Sequence, residues 1–299
     1  MTYQKIELPN HLNKNELYYG DNLEVMKSLP SLSIDLIYGD PPFYSQRNYS
    51  VESKVDVNEI RKFTDTFKDL NSYLRFLQSR LIEMKRLLKS TGSIYVHLDW
   101  HAVHYVKVEM DKIFGYENFR NEIIWFYHDS PGRPHQDFVR KHDTILRYTK
   151  SNNYTFNDKD IRVEIADVSK NRYEYTRVLG GKSYGGGEYE SAKIGKIPED
   201  VWPMSVIKGN SKESIGYPTQ KPEALLERII KASSNDGDVV ADFFGGSGTT
   251  VAVAQRLNRN WITCDNSKKS IDLIKARLLG NKSIKDKGYQ IDVENAWMQ

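Results

Sequence analysis

One cysteine, Cys264, in 299 residues excludes an intramolecular disulfide framework and any cysteine-cluster metal site. No apolar run approaches the roughly 18 residues of a membrane span, so no membrane partner is expected. The first dozen residues, Met1 to Leu12, are polar and lack an apolar leader, and the chain reads as soluble and cytoplasmic. Charge of one sign is not in excess either. With 43 Lys and Arg against 40 Asp and Glu the formal net charge is only +3, so charge alone identifies no polyanionic partner. Apolar residues make up 39%, below the globular norm of roughly 45–50%, which implies a well-wetted surface around an adequate core. No internal repeat is visible. His97, His101 and His104 lie close in sequence but read as polar side chains on a strand end and a helix, so no metal is expected.

What is present falls into three textures. Over residues 1–150, short apolar runs alternate with helical patterns. Leu17 to Gly20 predicts a strand ending in a turn. Asp21 can cap a helix from Leu23 to Leu29, because its carboxylate accepts from free backbone N–H groups. Ile34 to Tyr38 is a second strand. Leu70, Tyr73, Leu74, Leu77, Leu81, Met84, Leu87 and Leu88 recur at helical spacing, predicting a long amphipathic helix that Gly92 ends. Ser93 to Leu98 is a third strand, followed by a helix from about Trp100 to Phe114 and a strand from Glu122 to Tyr127. Residues 151–216 have no sustained period and are rich in Asn, Lys, Tyr and Gly. They read as a loop-rich insertion, with Tyr173, Tyr175, Trp202 and Ile207 supplying some packing. Over residues 217–299 the alternation resumes. A helix over Pro222–Ser234, a strand over Asp238–Asp242, a helix over Thr249–Leu257, a strand over Trp261–Cys264 and a helix over Ile271–Leu279 are predicted. Strands alternating with helices on both sides of an insertion predict an α/β fold with a mainly parallel sheet.

Two segments carry chemistry. Asp242-Phe243-Phe244-Gly245-Gly246-Ser247-Gly248 lies between a strand and a helix, where glycines let the backbone turn sharply and approach a ligand. Val251 occupies the third glycine place of a dinucleotide fingerprint, which disfavours a nicotinamide dehydrogenase. Asp265 follows the next strand at the spacing where a carboxylate meets ribose hydroxyls in nucleoside-binding α/β folds. The second segment is Asp40-Pro41-Pro42-Phe43, directly after a strand. Its prolines stiffen the backbone and hold a carboxylate, a carbonyl and an aromatic ring in a fixed relation. An exocyclic amine has two hydrogens to donate, which Asp40 and the Pro41 carbonyl could accept, while Phe43 offers a face for stacking a base.

Asp-Pro-Pro-Phe followed much later by Asp-x-Phe-x-Gly-x-Gly resembles the beta-class DNA amino-methyltransferases, the adenine-N6 and cytosine-N4 family. Gly20-Asp21-Asn22, Gly92 to His97 and Thr219-Gln220-Lys221-Pro222 match as well. The resemblance is strongest to the site-specific adenine-N6 enzymes of restriction-modification systems. It implies a Rossmann-like fold that uses S-adenosyl-L-methionine, in permuted order. Residues 1–150 would be the catalytic half, 151–216 a target-recognition insertion and 217–299 the cofactor half. By the same resemblance, Asp242, Phe244, Gly246 and Gly248 line the methionine end of the cofactor and Asp265 its ribose. Asp21 and Asn22 lie near its adenine, with Asp21 as a plain helix cap equally open, and Lys221 pairs with its carboxylate.

The reaction this implies is methylation of adenine N6 in double-stranded DNA after the base has been extruded from the stack. Asp40, Pro41, Pro42 and Phe43 form the catalytic group, with Arg133, Arg140 and Lys141 on phosphates. The alternatives are cytosine-N4 methylation and a non-catalytic DNA-binding module. No cysteine stands beside the prolines, which argues against a carbon-5 cytosine mechanism that needs a thiolate. A homodimer and a cognate restriction endonuclease are further expectations from the resemblance.

Overall fold

The structure, a computed structural model, describes residues 3–46, 48–50, 62–64, 66–129, 136–164, 177–179, 182–184 and 195–278. In chain order its strands are β1 (Tyr3–Ile6), β2 (Glu16–Gly20), β3 (Ile34–Gly39), β4 (Asn48–Ser50), β5 (Lys62–Thr64), β6 (Leu88–Leu98) and β7 (Phe119–Phe126). They continue with β8 (His142–Thr149), β9 (Arg177–Leu179), β10 (Lys182–Tyr184), β11 (Val201–Pro203), β12 (Val239–Asp242) and β13 (Asn260–Asp265). The helices are α1 (Asn22–Ser28), α2 (Leu70–Leu87), α3 (Val103–Phe114), α4 (Glu223–Ser233), α5 (Thr249–Arg256) and α6 (Lys268–Leu278).

Nine strands form one sheet in the order β1-β2-β13-β12-β3-β6-β8-β7-β11, while β4 with β5 and β9 with β10 make two small hairpins. The pairs β2–β13, β13–β12, β12–β3, β3–β6 and β7–β11 are parallel. Reversed β8 sits between β6 and β7. The two strands from the end of the chain, β12 and β13, are therefore inserted between β2 and β3. Val240 and Ala241 lie opposite Leu36 and Ile37.

Both faces of the sheet are covered, as a mainly parallel sheet requires. One core gathers α1, α2 and α3 residues such as Val25, Leu77, Leu81 and Val106 against Ile37, Ile94 and Val96. The other gathers Leu226, Ile229, Val253 and Ile274 of α4, α5 and α6 against Leu36, Tyr95 and Trp261. The helix starts follow local chemistry. Asp21 caps α1 through a 2.8 Å bond from the Leu23 amide, and Asp69 caps α2 through a 2.7 Å bond from the Ser72 amide.

Three expectations change. Gly92 does not end α2, which stops at Leu87. The chain enters β6 at once, and Gly92 lies in an irregular stretch of that strand, where an added Cβ would stand 3.0 Å from the Asp35 carbonyl oxygen. The stretch between Tyr127 and Lys150, for which the sequence suggested no element, contains a full strand, β8, and within it Arg147 is buried. Part of the insertion also joins the main sheet, because β11 pairs with β7 and buries Trp202.

Candidate active site

Parallel neighbours β12 and β3 end side by side, so the loops that follow them open into one crevice at the carboxyl edge of the sheet. In open α/β sheets this is where ligands bind. The cavity there is lined by Asp21, Asn22, Asp40, Pro41, Pro42, Phe43, Lys221, Asp242, Phe244, Gly246 and Asp265. Tyr38, Phe76, Arg80, Tyr217 and Thr250 complete its walls with several neighbours.

The loop after β3 presents Asp40 with its two oxygens in different states. Oδ2 accepts from Lys221 Nζ at 2.5 Å across 181 residues of sequence. Oδ1 is buried and has no hydrogen-bond partner. An orphaned carboxylate oxygen is costly, and a donor arriving in the cavity satisfies it. Phe43 stacks on His97, with ring centroids 5.8 Å apart and planes 24° from parallel.

The loop after β12 is held by its own acid. Asp242 accepts from the Phe244 amide at 3.0 Å and from the Thr250 hydroxyl at 2.6 Å. Gly246 (φ +50°) donates its amide to Asp265 at 2.8 Å, which ties the loop to the end of β13. Gly248 has φ +73°, and a Cβ there would come within 2.8 Å of Ile274 Cγ1. The loop thus needs glycine both for its left-handed turn and for close packing on α6.

The DNA methylase family matches over residues 34–276. The chain belongs to the DNA methylase family. The type II methyltransferase M.HpaI of Haemophilus parainfluenzae is 34% identical over 263 residues, covering 88% of this chain and 73% of the relative. The DNA adenine methyltransferase YhdJ of Escherichia coli (strain K12) is 30% identical over 263 residues, covering 88% and 82%. Among solved structures, the cytosine-N4-specific PvuII DNA methyltransferase has a TM-score of 0.63 at 21% identity, covering 91% of this chain and 90% of that one. TTHA0409 of Thermus thermophilus, complexed with S-adenosyl-L-methionine, has a TM-score of 0.55 at 20% identity, covering 88% and 93%. At these identities the two structures establish a shared fold.

Within this methylase two of the residues expected at the cofactor have protein partners of their own. Lys221 spends its ammonium on Asp40, and it also lies 5.2 Å from the centre of the Phe43 ring. Gly248 is the residue before α5 and packs on Ile274, outside the cavity lining. Asp21 serves both as the α1 cap and as a wall of the cavity. Arg133 lies outside the described residues. Arg140 is exposed, with its guanidinium 4.3 Å over the Trp100 ring, and Lys141 is partly exposed beside it. Both precede β8 at the end of the sheet where β6 finishes, the same edge as the cavity.

Sequence reading missed Arg80, Tyr217 and Thr250. Arg80 carried a signal, since it falls on the apolar stripe of α2 between Leu77 and Met84, where a charge is anomalous. It is buried, donates to Asn22 at 2.7 Å and to Asp21 at 3.1 Å, and stacks 3.7 Å over Phe76. Asn22 in turn donates to the Phe243 carbonyl at 2.8 Å, fastening α1 to the glycine loop.

Carboxylates dominate the electrostatics. Asp21, Asp40, Asp242 and Asp265 face the cavity, and its two cations, Lys221 and Arg80, are already paired with Asp40 and Asp21. Burial pushes Asp242 up to about 7, against the pull of its hydrogen bonds and with the charges of Asp40 and Asp265 adding to the rise. Burial likewise pushes Asp265 up to about 6. A cavity built this way favours a ligand that brings positive charge.

Proposed function

We propose that the chain is a site-specific DNA methyltransferase that moves a methyl group from S-adenosyl-L-methionine to N6 of adenine in double-stranded DNA. The observation that carries this reading is Asp40 Oδ1, a buried acceptor with no partner, set beside the Pro41-Pro42 turn in the same cavity as the glycine loop. Asp40 and the Pro41 carbonyl would take the two hydrogens of the target amine, directing its lone pair away from the ring and into the cavity. Lys221, bonded to the other oxygen, orients Asp40 for that task. Phe43 stacks on the extruded base, which a duplex otherwise hides.

The residues present fit the cofactor. The carboxylate-rich lining suits its positive charge, Gly246 bares the backbone beside Asp265, and Asp21 with Asn22 closes the far end. Bound there, the cofactor supplies an electrophilic sulfonium methyl. Adenine is favoured by the acid-first Asp40-Pro41-Pro42 segment and by the E. coli relative named as an adenine enzyme. Residues 1–150, 151–216 and 217–299 serve as catalytic half, target-recognition insertion and cofactor half. That permuted assignment is supported by β12 and β13 lying between β2 and β3. The type II relative supports a cognate restriction endonuclease, and the class resemblance supports a homodimer. Arg140 and Lys141, at the cavity edge, are suited to phosphates.

The test is nucleoside mass spectrometry on unmodified, sequence-diverse DNA incubated with protein and S-adenosyl-L-methionine, beside an Asp40→Ala control. N6-methyladenine that vanishes in the control is the expected result. N4-methylcytosine would overturn the base, and no methylated base would overturn the reaction.

A further inference from the structure

His97 stands on the face of β6 where period two calls for an apolar side chain, in line with Tyr95 and among Tyr38, Trp125 and Tyr127. It has no exposed surface. Both ring nitrogens are nevertheless engaged. Nε2 lies 3.1 Å from Asp143 Oδ2, and Nδ1 lies 2.8 Å from the Tyr38 hydroxyl. An ionised carboxylate only accepts, so Nε2 carries the proton toward Asp143 and Nδ1 accepts from Tyr38. The other Asp143 oxygen accepts from the Tyr127 hydroxyl at 3.0 Å. Burial would raise the Asp143 carboxyl, but the hydrogen bonds from His97 and Tyr127 and the charge of Lys221 hold it below the usual range.

This network joins β3, β6 and β8 to Tyr127, the residue after β7, and its imidazole has its plane fixed from two sides. Trp125 and Tyr38 abut it edge-on, at 5.5 Å and 90° and at 6.2 Å and 83°. Phe43 stacks against that immobilised ring. A buried polar network of this kind costs desolvation and yields a single arrangement of its members. An aliphatic residue at 97 would fill the space without setting any plane.

We infer that His97, clamped between Asp143 and Tyr38, is a positioning residue that sets the plane of Phe43 for the incoming base. The inference rests on the methyl-transfer reading for what Phe43 does, though not for the clamp itself. His97 touches neither substrate nor cofactor and acts through Phe43.

The test combines kinetics with a spectroscopic readout. Rates of methyl incorporation into unmodified, sequence-diverse DNA are compared for His97→Gln, Phe43→Leu and the double variant. Affinity for S-adenosyl-L-methionine and the melting temperature are followed alongside. His97→Gln is expected to lower kcat/KM for DNA about 10- to 100-fold while cofactor affinity stays within about twofold. The double variant should be no more than about threefold worse than Phe43→Leu, because two residues acting as one unit are not additive. Asp143→Asn, which keeps an acceptor for Nε2–H, serves if His97→Gln melts below the assay temperature, and a smaller loss with the same non-additivity is expected of it. Independently of catalysis, the protein labelled with 4-fluorophenylalanine is examined by fluorine NMR. The Phe43 resonance, assigned by its loss in Phe43→Leu, should shift and narrow when His97 or Asp143 is replaced. Additive rate losses or an unchanged Phe43 resonance overturn the inference. Absence of methyl transfer by the unsubstituted protein overturns the methylation reading alone, and the fluorine line still decides whether His97 fixes Phe43.

Discussion

Raising the pH from 6 to 8 should tighten binding of S-adenosyl-L-methionine about 20-fold, a change of about 1.8 kcal/mol. Asp242 sits at about 7 and Asp265 at about 6 because both are buried in a cavity that already holds Asp40. A ligand bringing net positive charge favours their ionised forms, so it binds the deprotonated cavity and releases protons from the rest. For Asp242 the affinity scales as the ionised fraction, which rises about tenfold between pH 6 and pH 8. Asp265 adds about a factor of two. At pH 7 about 0.6 protons should leave per cofactor bound.

The protein alone behaves in the opposite sense. Carboxyl groups raised above their unfolded values hold extra protons in the folded state, so the contribution of Asp242 and Asp265 to stability falls as pH rises from about 4 through 7. Calorimetric titration in buffers of different ionisation heat measures the affinity and the proton count together. Asp242→Asn should leave only the twofold residue of Asp265. An affinity constant to within twofold from pH 6 to 8, or one that strengthens toward acid, would refute the electrostatic argument.

Other perturbations separate the parts of the site. Gly248→Ala should cost about 1–3 kcal/mol in urea unfolding, because it combines a left-handed turn with a Cβ forced onto Ile274. A loss below half a kcal/mol would mean that α6 gives way. Arg80→Lys should weaken cofactor binding about tenfold, since one ammonium cannot serve Asn22 and Asp21 as the planar guanidinium does. Equilibrium dialysis tests this, and an unaltered affinity would relegate Arg80 to core packing. Arg140→Ala should weaken binding to every DNA sequence alike and lower the slope of log affinity against log salt by about one. A filter-binding salt series reads both quantities.

Much of the site was legible because its chemistry is local. Asp40-Pro41-Pro42-Phe43 and the loop from Asp242 to Gly248 declare themselves through residue types that stiffen or free the backbone. What was hidden lies in pairings over long sequence separations. Nothing near Lys221 announces that its ammonium ends on Asp40, and nothing near Asn22 announces the Phe243 carbonyl. Strand β8 escaped notice for a related reason. Thr144 to Thr149 are buried on both faces, so the polar and apolar alternation that marks a half-exposed strand is absent. Arg147 adds a charge within it, and its guanidinium lies 4.6 Å from the centre of the Phe156 ring and 5.3 Å from that of Tyr154. His97 was read as a strand-end polar group, and only the tertiary structure supplies the Asp143 and Tyr38 that give it a purpose.

The insertion of β12 and β13 between β2 and β3 has a consequence for biosynthesis. While the chain is leaving the ribosome, β2 and β3 cannot be bridged until residue 265 has emerged, because their common neighbours are not yet made. Until then each carries an unpaired edge in the middle of the future sheet, the kind of edge that invites wrong partners. Asp40 emerges early but has neither Lys221 nor the glycine loop beside it. A nascent chain therefore lacks the assembled centre until the residues that form β12 and β13 have been made.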